Sequence, residues 1–193
     1  PYAPGSEDRV LVNGYQSWTD THEHAPTDRM RGMSLLARSL EWKYRLSEYG
    51  DFKFTKYPNR PGHLQGWTYG YVRTPQDGYT LYASLSEAAG FTALRFDLSS
   101  RTVTFEKDCA GLTATDPLVI LDVCCLQGAE KAVFDRWFEL LGITPLPGPD
   151  VTGYTSWYRR YQAITEETIL EDLTGIRGLS PAPSIFQIDD GWE

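Results

Sequence analysis

From about residue 79 the hydrophobic positions recur every second residue. Tyr79, Leu81, Ala83 and Leu85 fall on one side of an extended segment, and Leu94, Phe96 and Leu98 repeat the pattern. Such alternation predicts strands with one buried face. Ser99-Ser100 reads as a turn into a further strand through Val103 and Phe105. Leu118 to Cys125 is an unbroken apolar run, expected of a strand buried on both faces. Pro58, Pro61, Gly62, Pro75 and the pair Asp77-Gly78 punctuate these segments. Short strands separated by turn signals predict a β-sandwich over residues 1–127.

At Gly128 the spacing changes. Val133, Phe134, Trp137, Phe138 and Leu141 share one face of a helix running from Ala129 to Leu141, and Gly142 marks its stop. Pro145, Pro147 and Pro149 then exclude both helix and central strand. Residues 128–149 therefore read as a linking helix and a proline-rich linker. Beyond them, Val151 to Trp157 predicts a strand, Ile164 to Ile176 a helix and Ser184 to Ile188 a second strand. Thr165 is suited to cap that helix, and Ile169, Leu170, Leu173 and Ile176 form its expected buried stripe. Strand, helix, strand at this spacing is a βαβ unit, which implies parallel strands over residues 150–193.

Composition narrows the chemistry. A formal net charge of −8 disfavours nucleic acid and anionic membrane surfaces as partners. No apolar run reaches the length of a bilayer span. Aromatic residues make up 13% of the chain, which suits strand cores and also suits pyranose rings that stack on flat apolar faces. Cys109, Cys124 and Cys125 are an odd number without metal-ligand spacing, and they read as buried free thiols. They favour a reducing compartment, and the cytoplasm is the expected location. His22, His24 and His63 raise the question of a metal. The first two flank Glu23 in a polar stretch that reads as a solvated loop, so no metal is expected.

Three segments carry a more specific pattern. They are Asn13-Gly-Tyr-Gln-Ser-Trp-Thr-Asp20, then Gly153-Tyr-Thr-Ser-Trp-Tyr158 followed by Ile164-Thr-Glu-Glu-Thr-Ile-Leu170, and last Phe186-Gln-Ile-Asp-Asp-Gly-Trp192. In this order the chain resembles glycoside hydrolase family 36, the α-galactosidase or melibiase-like family, from about residue 11 to its end. The resemblance implies a β-rich α+β chain. A β-supersandwich domain would be followed by the start of an incomplete (β/α)8 TIM barrel. It also implies a retaining hydrolase that releases terminal α-linked galactose from oligosaccharides, with no cofactor, and a homo-oligomer, a tetramer, when complete.

By the same resemblance, Asp189 and Asp190 hold the 4- and 6-hydroxyls of the terminal galactose. Carboxylates at the end of a barrel strand can do so through charge-assisted bonds. Trp192 walls the sugar pocket or packs beneath it. Tyr154 stands where many family members carry a Trp that stacks on the sugar. Trp18 and Asp20 lie in a sandwich loop of the kind that reaches a neighbouring subunit's site. The nucleophile and the acid/base sit on later barrel strands in the family, so no catalytic residue is assigned and both are expected beyond Glu193. A complete barrel takes about 250 residues, so this stretch alone is expected to be inactive. The alternatives are an α-N-acetylgalactosaminidase or α-galactosaminidase, and a non-catalytic sugar-binding β-sandwich module.

Overall fold

The structure, a computed structural model, describes residues 5–17 and 19–192. It divides into two compact units, Pro1–Thr144 and Pro145–Glu193.

The larger unit holds two antiparallel sheets. The first contains β1 (Arg9–Val12), β2 (His22–His24), β4 (Tyr69–Thr74), β5 (Gly78–Ser84) and β8 (Val123–Gly128), in the order β2-β1-β4-β5-β8. The second contains β3 (His63–Trp67), β6 (Thr92–Asp97) and β7 (Thr102–Lys107), in the order β3-β6-β7. Two short helices, α1 (Leu35–Ser39) and α2 (Glu41–Tyr44), and a 3-10 turn at Leu46–Tyr49 fill the long connection between β2 and β3. The helix α3 (Glu130–Leu140) follows β8.

Period-two alternation decides what each face of the larger sheet meets. Val10 and Val12 of β1 pack with Leu64, Leu94 and Phe96 of the smaller sheet. The opposite face presents Tyr71, Leu81 and Ala83 to Val133 and Trp137 of α3. The five-stranded sheet is thus covered by a sheet on one side and a helix on the other. Burying each large apolar side chain contributes about 1.5–3 kcal/mol. The helix ends as its composition requires. Gly142 takes a φ of +69°, a left-handed conformation in which other residues are strained.

Three expectations for this unit are corrected. Leu118 to Cys125 is not a strand buried on both faces. Leu118, Val119, Ile120 and Leu121 are exposed, and the ladder begins only at Val123, opposite Ser84 at the end of β5. β8 is an edge strand, so the run has no sheet on its far side. The cysteines are free but not buried. Cys124 lies against the α3 cluster and Cys125, on the opposite face, is exposed. His22 and His24 also differ from the solvated loop expected for them. They form β2, and His24 is buried.

The smaller unit contains β9 (Gly153–Thr155), a one-turn helix α4 (Trp157–Arg160), α5 (Glu166–Arg177) and β10 (Ile185–Gln187). β9 and β10 are parallel, with Phe186 opposite Tyr154 and Gln187 opposite Thr155. α5 opens as read from the sequence, because Thr165 accepts from the Thr168 amide and Thr168 reciprocates. Its apolar stripe, however, is not buried. Leu170 is exposed, Ile169, Leu173 and Ile176 are half-buried, and Asp172 is the buried residue of the helix. Two parallel strands joined through a helix make the expected βαβ unit; a barrel is not shown. Among the described residues, no helix is long and apolar enough to cross a membrane.

Candidate functional site

Asp189 and Asp190 lie just beyond the carboxyl end of β10, separated from it by Ile188. The Asp189 backbone N–H donates to Ser156 Oγ at 3.0 Å, and Ser156 is itself fully buried. The Asp189 carboxylate accepts from Thr155 Oγ1 at 3.1 Å, from Gln187 Nε2 at 3.2 Å and from the Asp190 amide at 2.8 Å. Its orientation is therefore set from both strands at once. Asp190 is more open. It accepts from Gln162 Nε2 at 2.8 Å and from the Gly191 amide at 3.1 Å. Gly191 has to be glycine. Its φ is +99°, and a Cβ there would come 2.7 Å from the Gln162 backbone. Trp192 is 72% exposed.

Tyr154 is on the other side of the two-stranded sheet. Its ring stacks on Phe186 with centroids 5.1 Å apart, and its hydroxyl donates to Asp172 Oδ2 at 2.7 Å. Thr155 and Gln187 point to the opposite face, with Asp189. Strand alternation separates neighbours in this way. Tyr154 and the two aspartates therefore lie on opposite faces of the two-stranded sheet.

Asp172 binds more than Tyr154. Arg160 donates to it through Nε at 3.1 Å and Nη2 at 2.8 Å, and Arg159 Nη1 lies 2.8 Å away. The Arg160 bonds hold its carboxyl at about 2, against the opposing effect of burial and with help from the Tyr154 bond. This clasp ties β9, α4 and α5 together. Ser156, which receives the Asp189 N–H, immediately precedes α4. Thr155, Ser156, Gln162 and Asp172 escaped the sequence reading because each acts through a partner distant in the chain, whereas Gln187 acts on Asp189 two residues on. The sequence signal was the placement of Thr155, Ser156 and Gln187 inside the quoted segments.

The first quoted segment, in the larger unit, is organised by a residue outside it. Asp51 is buried and accepts from the Tyr15 amide at 3.2 Å, Thr19 Oγ1 at 2.6 Å, Trp67 Nε1 at 2.9 Å and Tyr57 Oη at 3.3 Å. Gln16 Nε2 donates to the carbonyls of Glu48 and Gly50 at 3.0 and 2.8 Å. Burial, followed by the charge and the hydrogen bond of Asp51, pushes the Tyr57 hydroxyl well above its ordinary pKa. Trp18 lies outside the described residues. Asp20 lies 3.0 Å from His22 Nδ1 on the rim of a cavity of about 590 Å³, which Arg29, Arg31 and Tyr57 also line. His22 and His24 have ring centroids 3.8 Å apart. Burial, and secondarily the His22 charge, lowers the pKa of His24.

The architecture is that of a β-rich chain with sandwiched sheets. Solved structures that share it include two of the α-galactosidase TtGalA from Thermus thermophilus. The complex with stachyose matches with a TM-score of 0.65 and 19% identity, over 100% of this chain and 36% of that one. The complex with p-nitrophenyl α-D-galactopyranoside matches with a TM-score of 0.60 and 21% identity, over 100% and 34%. The chain thus has the fold of about a third of that enzyme. No family model matches the chain. No curated protein matches it either.

Proposed function

We propose that the chain is part of a retaining glycoside hydrolase acting on terminal α-linked galactose. Residues 1–127 would be a partial β-supersandwich and 150–193 the first βαβ unit of a catalytic barrel. Asp189 and Asp190 are its sugar-holding pair. The observation that carries this reading is the setting of Asp189. It is an oriented carboxylate at the carboxyl end of a parallel strand, held by Thr155 and Gln187, with the exposed Asp190 carboxylate beside it. Parallel α/β sheets bind their ligands at that end. A carboxylate whose position is already determined can accept a sugar hydroxyl without the cost of ordering it. The fold shared with two galactoside complexes supports the same ligand class.

The pair receives hydroxyls and does no bond-breaking. Retention needs a nucleophile and an acid/base about 5–5.5 Å apart on either side of the glycosidic bond. Two aspartates adjacent on one strand end do not straddle a bond in that way, so the reading assigns the chemistry to residues following Glu193. The test is Asp190→Ala in the protein carrying those residues. Its kcat/KM on p-nitrophenyl α-galactoside should fall at least ~100-fold, the loss expected of a charge-assisted bond of ~2–3 kcal/mol. An unchanged kcat/KM removes the sugar-holding role.

A further inference from the structure

The outer face of the three-stranded sheet has chemistry that the reading above does not use. Alternation along β3, β6 and β7 turns Leu64, Leu94 and Phe96 toward the core and leaves Gln65, Trp67, Arg95 and Glu106 on the far face. The register places Gln65 opposite Arg95 and Ala93 between Trp67 and Glu106. A cleft of about 490 Å³ opens over these residues. That volume lies in the range of small-ligand sites, about 300–1,000 Å³.

Two features of the cleft are those of a polyhydroxy ligand site. The first is aromatic. The Tyr15 ring lies 4.5 Å from Phe54, 4.9 Å from Phe91 and 5.1 Å from Trp67, between centroids. Asp51 holds this cluster from behind, through the Tyr15 amide and the Trp67 indole. Phe54 and Phe91 remain 53% and 50% exposed, so the cluster presents flat apolar faces to solvent. The second feature is a polar row with both donors and acceptors. Arg95 donates to Gln65 Oε1 at 2.5 Å and to Glu106 Oε2 at 2.7 Å, and Thr55 donates to Gln65 Oε1 at 2.8 Å. Gln65 is 3% exposed, and its amide nitrogen has no acceptor. Gln65 thus lies beneath the floor of the cleft and fixes Arg95 through its carbonyl oxygen.

The charges select among ligands. Lys53 is engaged by Glu48, and Lys107 by the Ser86 carbonyl and Thr92 Oγ1. Glu106 and Asp108 line the same cleft and would repel an anion. A purely apolar ligand would strand the Arg95–Glu106 row. A neutral sugar satisfies both features, with ring C–H groups on the aromatics and hydroxyls at the row.

We propose that this face is a second carbohydrate-binding surface. A neutral oligosaccharide stacks a pyranose against Phe54 and Phe91 and bonds Arg95 and Glu106 at its edge. The proposal uses no residue of the Asp189–Asp190 site. The experiment is a titration of the 193-residue chain with stachyose, followed at the Gln65 amide and Trp67 indole resonances. Both should shift and saturate. The double variant Phe54→Ala/Phe91→Ala should weaken the response at least about tenfold. Glu106→Gln, which leaves the rings in place, should weaken it in the same direction. Asp190→Ala should leave it unchanged. Three outcomes overturn the proposal: no shift at these two resonances, an unaltered affinity in both the aromatic and the Glu106 variants, or a response abolished by Asp190→Ala. A further overturning result is an aromatic double variant that alters only the assembly mass in light scattering, since the face would then be a contact between copies.

Discussion

The unit Pro1–Thr144 closes around apolar side chains on both faces of its large sheet, whereas Pro145–Glu193 closes around a charge. In the first, Leu81, Leu94, Phe96 and Val10 are all but inaccessible. In the second, the buried residues among those described are Ser156 and Asp172, while Ile185, Ile188, Leu170 and Trp192 remain exposed. The contrast teaches how each unit is held. Apolar burial is non-directional and spread over many contacts. A buried carboxylate is directional, and it is stable only while its partners stay in place. The smaller unit therefore depends on a few bonds at Asp172, and its apolar surface is open to whatever covers a parallel sheet.

The comparison can be broken by substitution. Asp172→Ala removes the acceptor of the Tyr154 hydroxyl and leaves Arg160 with Glu171 alone, which unties β9 and α4 from α5. Hydrogen exchange should show β9 and β10 losing protection while β5 keeps it. Protection unchanged at Phe186 and Gln187 would mean that the clasp does not hold the unit. Leu81→Ala should do the reverse. It empties a fully buried site between β5 and α3, costing about 2–5 kcal/mol. Melting of the larger unit should fall with no effect on exchange at β10.

The smallest effect is in pH. His24 has a lowered pKa in the fold and takes up a proton more readily when unfolded. Its contribution is therefore present above about 6.5 and is lost as pH falls through the lower folded value. Asp172 follows the same sign in a different window. Its contribution is present above 3.8 and is lost as pH falls toward about 2. Mild acid should thus weaken the larger unit first. If a melting series on His24→Gln shows the same decline between about pH 7 and 5 as the parent chain, His24 is not its source.

Much of the fold was legible because periodicity is a local property. The alternation at Tyr79–Leu85 and Leu94–Leu98, the helical face from Val133 to Leu141 and the Thr165 cap each express one element's own geometry, and each is present in the structure. The misreadings fall where burial depends on a neighbour. Leu118–Leu121 is as apolar as any core strand, yet β5 ends before reaching it. Cys125 sits in the same apolar run, yet its place on the outward face of an edge strand leaves it exposed.

The sequence by itself determined the strands β5, β6 and β7, the helices α3 and α5, that the two strands after the linker run parallel, and that two carboxylates lie just beyond the second of them. Only the tertiary structure decided which groups orient those carboxylates, that Asp172 is the buried anchor of the smaller unit, and that Asp51 gathers Tyr15, Thr19, Tyr57 and Trp67. The physical reason is range. Backbone propensity and hydrophobic spacing act between near neighbours, whereas a hydrogen bond such as Thr155 to Asp189 joins residues that meet only once the chain has folded.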